Sequence, residues 1–102
     1  MSQKVYKSWK VRRMTEAYNQ LPQAEKDKLF AELEKIQKAA GAKTMVACWS
    51  YWADEDCLGW GVDEFPDLES AFKHGEALRK LDWGRYLVSE SVLGVPFEDQ
   101  PA

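Results

Sequence analysis

Leu58-Gly59-Trp60-Gly61-Val62-Asp63-Glu64-Phe65-Pro66-Asp67-Leu68-Glu69-Ser70-Ala71 decides the fold, because a strand and the start of a helix follow one another in it. Leu58, Trp60 and Val62 share one parity and Gly59 and Gly61 the other, which is the period of a strand. Pro66-Asp67 then opens a helix. Asp67 is placed to cap its free N–H groups, and Leu68, Ala71, Phe72, Gly75, Leu78 and Leu81 recur at helical spacing until about Asp82. Upstream, Ala42 to Trp52 is rich in β-formers, and Ala53 to Cys57 supplies a short polar turn, so the two strands make a hairpin.

Further out, Val5 to Arg13 alternates, with Val5, Trp9 and Val11 on one parity, as a half-buried strand does. From Pro22 to Ala40 the residues Leu29, Phe30, Leu33, Ile36 and Ala40 recur at three- and four-residue spacings, and Gly41 suits the position just past a helix end. Arg85 to Leu93, between Gly84 and Gly94-Val95-Pro96, reads as a fourth strand. The order is β-α-β-β-α-β. Two interleaved right-handed β-α-β units predict an α+β fold, the ferredoxin-like sandwich: a four-stranded antiparallel sheet with both helices on one face.

The chain has 102 residues, 45 % hydrophobic and 30 % charged, which predicts one globular domain over 1–102 with a structured core of about 5–95. Met1 to Lys4 and Phe97 to Ala102 are expected to be loose. Fourteen Lys and Arg against 17 Asp and Glu give a net charge of -3, which argues against a general polyanion binder. Cys48 and Cys57 lack the spacing of a redox pair or zinc site and read as free thiols; a disulfide between them is the rival reading. With no signal-like start and no apolar run near ~18 residues, the expected location is the cytoplasm, away from membranes.

Such a sandwich leaves one sheet face bare, yet the second strand is apolar on both parities: Met45, Ala47, Trp49 and Tyr51 on one, Val46, Cys48 and Trp52 on the other. In the third strand the glycines are expected under the helices and the large residues on the bare side. At ~25 cal/mol per Å2 and ~150–250 Å2 per aromatic side chain, each exposed ring forfeits a few kcal/mol. A second copy closing over the bare face removes that loss, so a homodimer is expected.

The β-α-β-β-α-β order, the acidic turn of the hairpin, the run Trp60 to Ala71 and the closing Leu81-Asp82-Trp83-Gly84-Arg85-Tyr86 resemble the dimeric α/β-barrel superfamily, and more narrowly its small bacterial members of unknown function. The likeness covers Val5 to Leu93. Members of that superfamily include cofactor-independent monooxygenases acting on quinol-like aromatics, polyketide cyclases, isomerases and haem enzymes, so the fold implies little about chemistry. The resemblance implies a cavity between the sheet and its helices, or inside the barrel, lined by aromatic residues and holding a small, largely apolar ligand. No catalytic motif of the family is matched. The haem branch fits poorly, because the chain is short and its one histidine lacks the surrounding pattern.

His74 is that histidine and the only side chain whose ordinary pKa suits proton transfer near neutrality, which makes it the candidate catalytic residue. On its helix it falls at the flank of the apolar stripe, where a half-exposed histidine without a task is the commoner outcome. One histidine with scattered carboxylates gives no metal-ligand set, and no cofactor is expected. Five tryptophans are many for this length. Trp49 and Trp60 can clamp a flat ligand, with Tyr6, Tyr51 and Tyr86 orienting it, and these five residues are the candidate ligand-binding set; core and interface filling is the competing use of the same rings.

Gly59-Trp60-Gly61 with Phe65 partly matches an RNA-recognition strand, but Leu58, Val62 and Asp63 depart from that signature, and Ala53 to Glu69 carry seven acids and no base. An RNA-recognition-like module is therefore the lesser alternative. The basic residues Lys4, Lys7, Lys10, Arg12 and Arg13 read as a solvated edge or as partners of the acidic segment. The sequence thus predicts a homodimeric protein binding a small hydrophobic or aromatic compound, with cofactor-independent oxidation or isomerisation as the implied chemistry. The alternative is a non-catalytic interaction protein whose aromatic face serves assembly only.

Overall fold

The computed structural model describes residues 3–53 and 56–99. Met1, Ser2 and Gln100 to Ala102 of the expected loose ends, and Asp54 and Glu55 of the polar turn, lie outside the described residues. Strands β1 (Val5–Met14), β2 (Lys43–Trp49), β3 (Gly59–Phe65) and β4 (Leu87–Gly94) form one open antiparallel sheet in the order β2-β3-β1-β4. Among the described residues four helices lie between them: α1 (Glu16–Asn19), α2 (Gln23–Ala39), α3 (Leu68–Lys80) and α4 (Trp83–Tyr86). The fold is α+β. No helix among the described residues is long and apolar enough to cross a membrane.

Local signals fix the helix ends. Asp67 Oδ1 accepts the Ser70 N–H at 2.7 Å at the start of α3. Gly41 ends α2 at φ 68, a left-handed conformation that costs a glycine little, and its N–H and that of Ala42 return to the carbonyls of Lys38 and Gln37. Thr15 joins two elements at once: its Oγ1 accepts the Tyr18 N–H of α1 at 3.2 Å and donates to the Arg85 carbonyl of α4 at 2.6 Å.

Register sorts the side chains into two faces. In the β1–β3 pair Val5 stands opposite Phe65, Lys7 opposite Asp63, Trp9 opposite Gly61 and Val11 opposite Gly59, and this row lies under α2 and α3. The alternate row, with Tyr6 opposite Glu64, Ser8 opposite Val62 and Lys10 opposite Trp60, lies on the open face. Where β3 runs into α3, Phe65 is fully buried and packs with Val5, Ala40 and Ala71, with Ala42 and Val95 against them. The glycines of β3 do lie on the helix side, both buried, with Gly59 lining the space there and Gly61 opposite Trp9, which also lines it.

Several boundaries differ from the sequence reading, each for a local reason. Strand β2 stops at Trp49, because the Trp52 indole N–H donates to the Trp49 carbonyl at 3.1 Å and folds Tyr51 and Trp52 into a turn. A bulge between Thr44 and Val46 shifts the register, so Thr44 replaces Met45 in the row shared with Ala47 and Trp49. Strand β4 begins at Leu87 instead of Arg85, because Asp82 turns left-handed at φ 66 and Trp83 restarts a short helix. Phe97–Asp99, expected to be loose, forms a turn of 3-10 helix. Cys48 and Cys57 are both free thiols.

His74 departs furthest from expectation: it is 3 % exposed, where the flank of the stripe predicted a half-exposed ring. Leu68 and Phe72 are exposed instead, so α3 is rotated to put Ala71, His74 and Leu78 inward. Phe65 accounts for the rotation, since the His74 ring packs edge-on to it with centroids 5.0 Å apart.

Candidate functional site

A cavity of about 500 Å3 lies between the sheet and its helices. It exists because β3 presents Gly59, Gly61 and Asp63 to the helix side before it reaches Phe65. A Cβ on Gly61 would lie 2.5 Å from Trp9 Cζ2 and 2.6 Å from the Val46 carbonyl oxygen, so the bare glycine is what lets the Trp9 indole lie across β3 as the cavity floor. Phe30 and Leu33 of α2, Leu78 of α3 and Trp83 of α4 form the walls. Phe30 is held edge-on between Tyr18 and Trp83, with centroids 6.2 and 6.1 Å away. Trp49 lines the cavity while 72 % exposed and so stands at its rim.

Next to the packed end the lining turns polar. Asp63 is buried, and its carboxylate accepts from Thr44 Oγ1 at 3.0 Å and from Gln37 Nε2 at 3.4 Å. His74 Nε2 lies 2.6 Å from Gln37 Oε1. Because that amide gives its N–H to Asp63, its oxygen is left to accept, and the network assigns the proton of His74 to Nε2. His74 Nδ1 then carries a lone pair, and it is buried with no hydrogen-bond partner among the described residues. Burial lowers the His74 pKa to about 4, helped by the nearby charge of Lys7 and opposed by Asp63. The ring is neutral at neutral pH.

Lys7 also lines the cavity. Burial lowers its pKa and the Asp63 carboxylate opposes the shift. Its amine makes no hydrogen bond or ion pair among the described residues. An amine, a carboxylate and a neutral imidazole therefore share one end of a largely apolar space, to which Ser89, Glu90 and Ser91 of β4 also contribute. Such a set can orient the polar group of a bound molecule and move a proton at it.

Of the residues singled out from sequence, the structure brings His74 and Trp49 to this cavity. Tyr6 and Trp60 lie on the opposite face of the sheet, where Tyr6 Oη donates to Glu64 Oε2 at 2.8 Å. Tyr51 is exposed beyond the end of β2, its ring 6.0 Å from that of Trp49, and Tyr86 is half-buried at the end of α4 under the Arg85 guanidinium. The five candidate rings do not meet at one place. Lys7, Asp63, Gln37, Trp9, Phe30 and Trp83 belong to the cavity and were not singled out as a set. For two of them a signal was present, because Lys7 sits on the parity of Val5, Trp9 and Val11, and Asp63 on that of Gly59, Gly61 and Phe65. A charge in the inward row of a strand is either costly or useful.

Among the described residues no group of three or more His, Cys, Asp and Glu side chains could hold a metal ion. On the open face Arg12 bridges Asp56 and Glu90, and Arg13 also reaches Asp56, so the basic edge is paired in part with the acidic turn. These pairs are solvated and add little to stability. Compared with known proteins, the chain matches no family model, no curated protein and no solved structure.

Proposed function

We propose that the chain binds a small, flat, largely apolar compound with one polar group in the cavity between sheet and helices. The observation that carries this reading is the cavity itself: aromatic walls from Trp9, Phe30 and Trp83 around about 500 Å3, closed at one end by Lys7, Asp63 and His74. That combination of apolar lining and few convergent polar groups is the usual make-up of a small-molecule site. The strand order β2-β3-β1-β4 with α2 and α3 on one face supports a ferredoxin-like assignment, and with it the likeness to the dimeric α/β-barrel superfamily. In that setting the chemistry would be cofactor-independent oxidation or isomerisation, with neutral His74 placed at the polar end to take a proton. A homodimer remains part of the reading. Val46, Trp60 and Val92 stand exposed on the open face, and a second copy would cover them.

The same exposed face favours one other reading, a non-catalytic interaction protein that uses its sheet for assembly only. A thermal-shift screen with planar bicyclic and polyketide-like compounds separates the two. The ligand reading expects stabilisation of the native chain by at least one compound, and loss of that shift in Gly61→Ala, whose new methyl group pushes the Trp9 ring into the space. A screen without any stabilising compound, or shifts untouched by the substitution, would favour assembly alone.

A further inference from the structure

Lys7 is the one lysine lining the cavity, and its surroundings are not those of a structural ion pair. The amine has no hydrogen bond and no salt bridge among the described residues, although Asp63 stands opposite it in the β1–β3 register. The Asp63 carboxylate is already held by Thr44 and Gln37. An anionic guest at Lys7 would enter beside that buried carboxylate and be repelled by it, whereas a neutral carbonyl brings no charge. Lys7 is half-buried at the edge of an apolar cavity, where desolvation works against its charge and Asp63 works for it. A partly desolvated lysine amine sheds its proton more readily and so can act as a nucleophile.

We propose that Lys7 condenses with the carbonyl carbon of a small aromatic aldehyde or enal held in the cavity, forming an imine. The Nζ lone pair makes the new C–N bond while the C=O π pair moves to oxygen, which takes the proton given up by nitrogen. The C–O bond of this carbinolamine then breaks, and the oxygen leaves as water with a second proton. Nitrogen loses its remaining N–H proton and its pair completes the C=N bond. The balance is aldehyde plus amine giving imine plus water, with nothing oxidised or reduced. Asp63 and His74, the proton acceptors at the same end of the cavity, carry the protons between nitrogen and oxygen. This inference rests on the cavity being a ligand site and names the substrate class for it.

The experiment uses the full chain with cinnamaldehyde and sodium cyanoborohydride, which reduces an imine to a stable secondary amine, followed by peptide mass mapping. Expected is an adduct on Lys7 ahead of every other lysine, lost in both Lys7→Arg and Lys7→Met while circular dichroism shows either variant folded. Cinnamyl alcohol, the same shape without a carbonyl, is run beside it by thermal shift. Stabilisation by the alcohol without a Lys7 adduct overturns the imine and leaves the cavity reading standing. No stabilisation by either compound, with adducts scattered over surface lysines, overturns both.

Discussion

Phe65 and Gly59 stand on the same strand and on the same face, yet one is fully buried in a packed core and the other lines a space of about 500 Å3. At the packed end Val5, Ala40 and Ala71 close around a single large ring, and the small residues opposite it let the helices approach. In the hollow region the order is reversed, with nothing projecting from Gly59 and Gly61, and with Trp9, Phe30 and Trp83 set around the gap. The hollow is therefore specified by the choice of side chains along one strand and is not a general looseness of the fold. Its polar groups point the same way. Burying Asp63 and His74 and half-burying Lys7 costs stability that a purely structural layer would recover with apolar residues.

If the packed end holds the helices to the sheet, Phe65→Ala should be the most damaging change, with a loss of about 3–5 kcal/mol in chemical denaturation. A loss no larger than that of an exposed substitution would show that the two regions do not differ in packing. The next effect belongs to the polar end. The folded-state pKa of His74, about 4, is below its ordinary 6.5, so the unfolded chain binds the extra proton first as pH falls. Its contribution is complete above pH 6.5 and is lost on the way down to about 4, on the order of 3 kcal/mol in all. Urea denaturation across that range should show the loss in the native chain, and His74→Phe should flatten the pH dependence there. An equal slope in both would mean that His74 is not buried as a neutral ring.

Much of this contrast was legible in the sequence. The order of the long elements, the Asp67 cap, the Gly41 stop and the helix-side placement of the β3 glycines follow from period and turn chemistry alone. The cavity's polar end was not legible, for three physical reasons. A bulge near Met45 moves Thr44 onto the face of Asp63, and a one-residue slip of this kind leaves no mark in an alternating pattern. The apolar stripe of α3 counts Leu68 and Phe72 as inward, although both are exposed, and so misplaces His74. Lys7 stands in a run of basic residues that reads as a solvated edge, and its parity rather than its charge is the informative property. The short helices α1 and α4, four residues each, carry too few positions to show a period.

The most direct test is to map a bound planar compound by two-dimensional NMR of the native chain, using cinnamyl alcohol as the probe. Site-specific shifts should cluster on Trp9, Leu33, Leu78 and Trp83, with Trp60 and Val92 on the open face unmoved. Shifts confined to Trp60, Val62 and Val92, or no saturable shifts at all, would contradict the claim that glycines under the helices build a ligand site.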